Sequence, residues 1–305
     1  MQGCDGGNRF TANPARTPAA GDWVDPESRA RLAPDRLIAA LADRTVVLLG
    51  EHHDDADHHR WQLHSLAALH GHRPDMVLGF EMFPRRVQPV LDRWTAGELS
   101  EGAFLDQVGW QQVWGGDADL YMPLFQFARL QRLPMVALNV ERRLVSKVAR
   151  EGWDAVPEAE REGVGTAADP PEAYRHYLAE VFAMKHRHGA GAAGETGPQP
   201  AEAATVMDDP AFERFVQAQS TWDRAMAEAL AAAAAARPDG TRPLVVGILG
   251  LGHVKHRWGV PHQLADLGLG RSEVAVLIPW PVQLLDDLPA DLADAVFLLP
   301  EPPHR

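Results

Sequence analysis

Thr45-Val-Val-Leu-Leu-Gly-Glu-His-His-Asp-Asp-Ala-Asp-His-His59 is the stretch whose reading decides the fold. Its first half is an unbroken apolar run rich in β-branched residues, the pattern of a strand buried on both faces. The run ends at Gly50. One Glu, four His and three Asp then follow within nine residues. Asp54 or Asp55 can cap a helix whose apolar positions (Ala56, Leu63, Leu66, Leu69) keep a helical period and stop before Gly71. A buried strand that hands acids and imidazoles to a helix N-terminus marks the ligand-binding edge of an open α/β sheet.

Further strands read outward from this one. Met76 to Met82 is a second apolar run, carrying Glu81 near its end. Strand, helix, strand over about thirty residues is a βαβ unit, so the two strands are expected to be parallel. Pro134 to Val140 is a third strand, reaching Asn139. Leu244 to Leu249 is a fourth and runs into Gly250-Leu-Gly-His253. Val274 to Ile278 and Ala295 to Leu299 complete the sheet. Helical periods are expected over 26–43, 87–94, 101–112, 121–130 and 212–237, the last stopped by Pro238-Asp239-Gly240. The expected class is α/β, a mostly parallel sheet flanked by helices, with a helical subdomain inserted between strands. The core takes in residues 23–140 and 244–305, and the mainly helical insertion 141–243. Within it, 189–204 is rich in small residues and Pro and reads as a mobile loop. Residues 1–22 lack periodicity and read as a flexible tail.

Composition narrows the function. Forty-two acidic against 29 basic residues give a net charge of −13, which leaves no basic surplus for nucleic acid. The one cysteine, Cys4, excludes an internal disulfide. Its context, Met1-Gln2-Gly3-Cys4, resembles the cleavage end of a bacterial lipoprotein signal, without the charged and apolar regions of such a signal. If the start is truncated, the expectation is a lipid anchor on Cys4 at the periplasmic side of the envelope. Otherwise Cys4 is a free thiol on a tail and the protein is cytoplasmic.

Glu51-His52-His53, Glu81, Asn139 and Gly250-x-x-His253 all stand at strand ends, and a parallel sheet collects such ends on one edge. Unpartnered buried carboxylates cost several kcal/mol, so this set calls for cations, donors or a ligand. Glu51, His53, Glu81 and His253 suit a divalent transition metal, since imidazole and carboxylate are its usual ligands. The same four suit acid–base catalysis without a metal, with His53 or His253 as base and a Glu orienting it. There is no G-x-S-x-G, no Walker-type phosphate-binding loop, and no Cys-x-x-Cys-His. On the helix after the first strand, His59 tends inward and His58 sideways. Tyrosines number three, Tyr121, Tyr174 and Tyr177, and Tyr121 reads on its own as a helix-packing aromatic.

These residues resemble a known family. Gly50 to His59 with Gln62, then Gly79-Phe-Glu-Met-Phe83, are similar to the start of the ChaN family of haem-binding uptake proteins. Val90 to Leu99, Trp110 to Tyr121, Ala137-Leu-Asn139, Gln219 to Met226, Gly250-Leu-Gly-His253 and Gly259-Val-Pro261 agree in order. The wider superfamily includes the Tiki metalloproteases, the TraB-like proteins and the erythromycin esterases. It shares the G-E-x-H and G-x-x-H signatures, carried here by Gly50, Glu51, His53, Gly250 and His253. The resemblance implies an iron-uptake-associated lipoprotein of the cell envelope, with haem held between two protomers of a homodimer and ligated by tyrosine. Tyr121 is the first candidate for that ligand, with His58, His59 and Asn139 beside the cofactor. The alternative is a metal-dependent hydrolase, a peptidase or esterase, using Glu51, His53, Glu81 and His253.

Overall fold

The computed structural model describes residues 16–189 and 206–301. Cys4 and nearly all of the segment expected to form a mobile loop lie outside the described residues.

Eight strands form one sheet. In chain order they are β1 (Trp23–Val24), β2 (Arg31–Leu32), β3 (Val46–Glu51), β4 (Met76–Pro84), β5 (Met135–Asn139), β6 (Leu244–Gly250), β7 (Val274–Pro281) and β8 (Ala295–Leu299). Their order across the sheet is β2-β1-β8-β7-β3-β6-β4-β5. The six long strands are mutually parallel; β1 alone pairs antiparallel, to β2 and β8. The fold is therefore α/β. β3 and β4 are parallel but not neighbours, because β6 enters between them. Glu51 stands opposite Gly250 in that register, so the two polar strand ends meet in the middle of the sheet.

Every residue of β3 is buried. Alternate side chains feed two cores, as the two-residue period of a strand requires. Val47 and Leu49 pack with Trp61, Leu66 and Phe125 on one face. Val46 and Leu48 pack with Met226, Leu230 and Leu264 on the other. The first face is covered by α1 (Pro34–Ala42), α2 (Ala56–His72), α3 (Gln88–Thr95), α4 (Glu101–Val108), α5 (Trp110–Val113) and α6 (Ala118–Gln131). After β5 come α7 (Arg142–Glu151), α8 (Glu172–Gly189) and the long α9 (Pro210–Ala233), and α10 (Val260–Asp266) follows β6. The second half of α9 lies directly on the sheet through Met226, Ala227 and Leu230.

Three local expectations change. Residues 26–43 are helical only from Pro34, because turn chemistry wins over the apolar period before it. The Asp25 carboxylate accepts from the Ser28 backbone N–H and hydroxyl, and Arg29 turns the chain at φ 55° into β2. The helix expected over 101–112 breaks at Gly109, which takes the left-handed φ of 70°. Residues 16–22 are bound to the sheet: the Gly21 N–H donates to the Leu298 carbonyl, and Asp22 pairs with Arg16 and Arg31.

Candidate active site and ligand edge

The end of β3 delivers Glu51 into a fully buried position. His53 Nδ1 donates to its Oε1 at 2.9 Å and the Tyr121 hydroxyl donates to the same oxygen at 2.7 Å. His59 Nδ1 stands 3.2 Å from Oε2. Burial alone would raise this carboxyl, but the His53, His59 and Tyr121 donors outweigh it and hold Glu51 at about 2. For His53, burial opposes the charge, and Glu51 and Glu81 raise its affinity for a proton overall. Its side chain remains 45% exposed, with Nε2 available to the crevice.

The helix start explains the other two histidines. Asp55 caps α2, accepting from the backbone N–H groups of Asp57 and His58. His58 Nδ1 accepts the His52 backbone N–H at 2.9 Å, so that nitrogen carries no proton. Burial accordingly drops His58 to about 4, with Asp55 pulling the other way. His58 serves to fix the turn. His59 bonds the His53 carbonyl through Nε2 and Gln62 through Nδ1. It props the turn that carries His53 and is buried beneath it.

Across the crevice, Glu81 Oε2 accepts the Gly250 N–H at 2.6 Å, and its Oε1 lies 3.6 Å from His253 Nε2. His253 Nδ1 donates to Asp223 Oδ1 at 2.6 Å, and the Tyr174 hydroxyl donates to Oδ2 at 3.0 Å. Burial would lower His253, but the Glu81 and Asp223 charges raise it to about 9, so the ring is an imidazolium at neutral pH. Asn139 donates to the Glu81 carbonyl and accepts from the Val140 N–H. It holds the β4 backbone and is not presented to a ligand.

The structure thus brings Glu51, His53, Glu81 and His253 together. Two histidine–carboxylate dyads, Glu51–His53 and Asp223–His253, flank Glu81, each oriented through Nδ1. Among the described residues, no group of three or more His, Cys, Asp or Glu side chains is arranged to hold a metal ion. The carboxylates and Nδ1 atoms are already taken up by one another.

Tyr121 is corrected in role. Its ring is fully buried against His59 and Phe125, and burial with the Glu51 charge holds its proton on. Tyr174 is likewise buried and committed to Asp223. Tyr177 differs: it is half-buried, and its hydroxyl makes no hydrogen bond to a described residue. That oxygen faces Gly252, 3.6 Å from where a Cβ would stand. Lys255 Nζ lies 3.5 Å from the Tyr177 ring centre and Trp258 packs beside it. Trp114 meets His53 edge-on and Trp222 meets His253, so aromatic rings rim the crevice.

Sequence reasoning missed Asp223 and placed Tyr121 ahead of Tyr174 and Tyr177. An acid inside a helix, one turn from the apolar Met226 and Ala227, was the available signal for Asp223. A buried Asp needs a partner.

A family model described as haem-binding uptake, Tiki superfamily, ChaN matches residues 37–264. The solved structure of ChaN of Campylobacter jejuni with cofacial haem superposes with a TM-score of 0.63 at 18% identity, covering 90% of this chain and 95% of that one. The type III effector HopBA1 gives a TM-score of 0.49 at 11% identity, covering 98% and 100%. An erythromycin esterase mutant in its open conformation gives 0.44 at 12%, covering 84% and 76%. No curated protein sequence matches the chain. The matched span runs from α1 to α10 and contains every residue of the two dyads, and on that match the chain belongs to the haem-binding uptake ChaN family of the Tiki superfamily.

Proposed function

We propose that the chain binds haem at this edge, with Tyr177 as the iron ligand, and serves iron uptake at the cell envelope as a homodimer anchored through Cys4. The observation that carries the haem site is the accessible phenol of Tyr177 among three tyrosines, the other two being buried donors to Glu51 and Asp223. The surroundings fit the group. Trp222, Trp258 and Tyr177 offer aromatic surface to a porphyrin, and Lys255 offers positive charge to its carboxylates. Bound haem supplies a Lewis-acidic iron. Tyr177 supplies the oxygen, and its proton must leave, since burial and the Glu180 charge keep the free phenol protonated. Affinity should therefore rise with pH, toward tenfold per unit.

Haemin titration tests this. The expected result is a Soret shift saturating at fixed stoichiometry, lost or strongly weakened in Tyr177→Phe and kept in Tyr121→Phe. Retention of the same spectrum in Tyr177→Phe would remove the ligand assignment, and the absence of any saturable shift would remove the haem reading. The anchor is tested by fatty-acid labelling of cells, lost in Cys4→Ala.

A second reading rests on the two opposed dyads. His53, oriented by Glu51, is placed to take a proton, and the His253 imidazolium to donate one or to hold a developing negative charge. That is the equipment of a hydrolase acting on esters or amides. Turnover of chromogenic esters, abolished by Glu51→Gln, would favour it over binding alone.

A further inference from the structure

The helical segment between β5 and β6 lines a half-open cavity of about 560 Å³. No residue of the sheet-edge site lines it. Its size is that of small-molecule pockets in general.

Ser220 is the informative residue. It is 5% exposed, it lines the cavity, and its Oγ has no hydrogen-bond partner. A helical hydroxyl usually bonds the carbonyl four residues back. The adjacent Thr221 does so, donating to the Gln217 carbonyl at 2.7 Å. Ser220 does not, and a buried hydroxyl left unpaired costs about 1–3 kcal/mol. Beside it, Gln217 accepts the Trp153 backbone N–H through Oε1 at 3.0 Å. This fixes the amide, whose Nε2 makes no hydrogen bond to a described residue.

The walls are held before any ligand arrives. The Gln263 side chain clamps both backbone groups of Ala168 at 2.9 Å, and His262 bonds the Asp169 carbonyl. The Trp153 indole forms part of one wall, with Arg161 stacked on it. Arg175 and Glu213 face the cavity as a pair 2.8 Å apart. Asp154 and Asp169 add carboxylates that make no ion pair among the described residues.

We propose that this cavity is a second ligand site, for a neutral polyhydroxylated molecule of mono- to disaccharide size. An aromatic wall suits the C–H faces of such a molecule. The polar groups combine donors (Gln217 Nε2, Arg175), acceptors (Asp154, Asp169, Glu213) and the Ser220 hydroxyl, which can do both, as a molecule bearing many hydroxyls requires. An anion meets three carboxylates here. An organic cation meets Arg175 and leaves the Ser220 and Gln217 donors unused.

The test uses the full chain without haem. Glucose, N-acetylglucosamine, maltose and, as the cationic alternative, spermidine are titrated by calorimetry and by saturation-transfer NMR. At least one sugar should bind saturably, and Ser220→Ala should weaken it by about threefold or more, the share of one hydrogen bond. Ser220→Ala should also leave the sugar-free protein as stable as wild type or slightly more so, because it removes an unpaired hydroxyl and no bond. Haem should not displace the sugar. Failure of all three sugars, saturable spermidine binding in their place, displacement by haem, or unchanged sugar affinity in a folded Ser220→Ala protein would each overturn the proposal.

Discussion

The imidazole of His53 packs against the backbone of Gly250: a Cβ there would stand 2.7 Å from Cε1 and 2.9 Å from Nε2. The glycine of one motif is thus the floor under the histidine of the other. Gly250→Ala should push His53 away from Glu51 while leaving β6 paired. Histidine Cε1–H titration by NMR should then show the His53 pKa falling toward its ordinary value, and an unmoved His53 would break the link. Gly259 does the same for the second dyad, since a Cβ there would stand 2.6 Å from the His253 carbonyl and 2.8 Å from Asp223 Oδ1. The two dyads also set opposite pH limits on stability. Glu51 is depressed from 4.5 to about 2, so its contribution is full above pH 4.5 and disappears as pH falls toward 2. His253 is raised from 6.5 to about 9, so its contribution is full below pH 6.5 and disappears as pH rises through 9. Denaturation midpoints should peak between these limits. Glu51→Gln should lower the peak by about 3 kcal/mol and flatten the acid limb. An acid limb as steep as that of wild type would show that Glu51 does not set it.

At the scale of elements, β5 is the sheet edge beside the site, and an unguarded edge invites pairing with other chains. Gln88, near the start of α3, guards it like a one-residue strand. Its Nε2 donates to the Met135 carbonyl at 2.7 Å and its Oε1 accepts the Ala137 N–H at 2.9 Å. Gln88→Ala should destabilise the protein by about 1–3 kcal/mol and raise its tendency to aggregate on heating, measured by urea titration and light scattering. Wild-type values in both would show that the clamp is incidental. Such a clamp is invisible in sequence, because Gln88 looks like any helix-starting polar residue. What was legible were the strands, since β3, β4 and β6 are buried on both faces and so read as continuous apolar runs. The polar residues at their ends were legible for the same reason: Glu51, Glu81 and His253 interrupt runs that have no other use for them. Boundaries set by turn chemistry were read less well, as at Asp25 and Gly109. The strand order was not legible at all, because nothing local in Leu244–Gly250 says that it inserts between β3 and β4.

For the molecule as a whole, α9 joins the helical segment to the sheet and closes the site in the same stroke. Met226, Ala227 and Leu230 bury it on β4, β5 and β6, and one turn earlier Asp223 reaches His253. Asp223 is therefore oriented from the layer above the sheet, while Glu51 is oriented from within the sheet and from α6 through Tyr121. This is why Asp223 escaped a reading built on strand ends: its place depends on packing between layers. The arrangement also predicts how the halves of the site communicate. Asp223→Asn keeps the shape and a hydrogen bond but removes the charge that, with Glu81, holds the proton on His253. The His253 pKa should drop well below 9, and the loss of stability between pH 6.5 and 9 should shrink with it, because the linked proton is no longer gained on folding. Tyr174 would keep its packing and lose an anionic acceptor, so Tyr174→Phe in the Asp223→Asn background should cost less than in wild type. A double-mutant cycle that is additive, together with an unshifted His253 titration, would mean that α9 only covers the site and does not tune it.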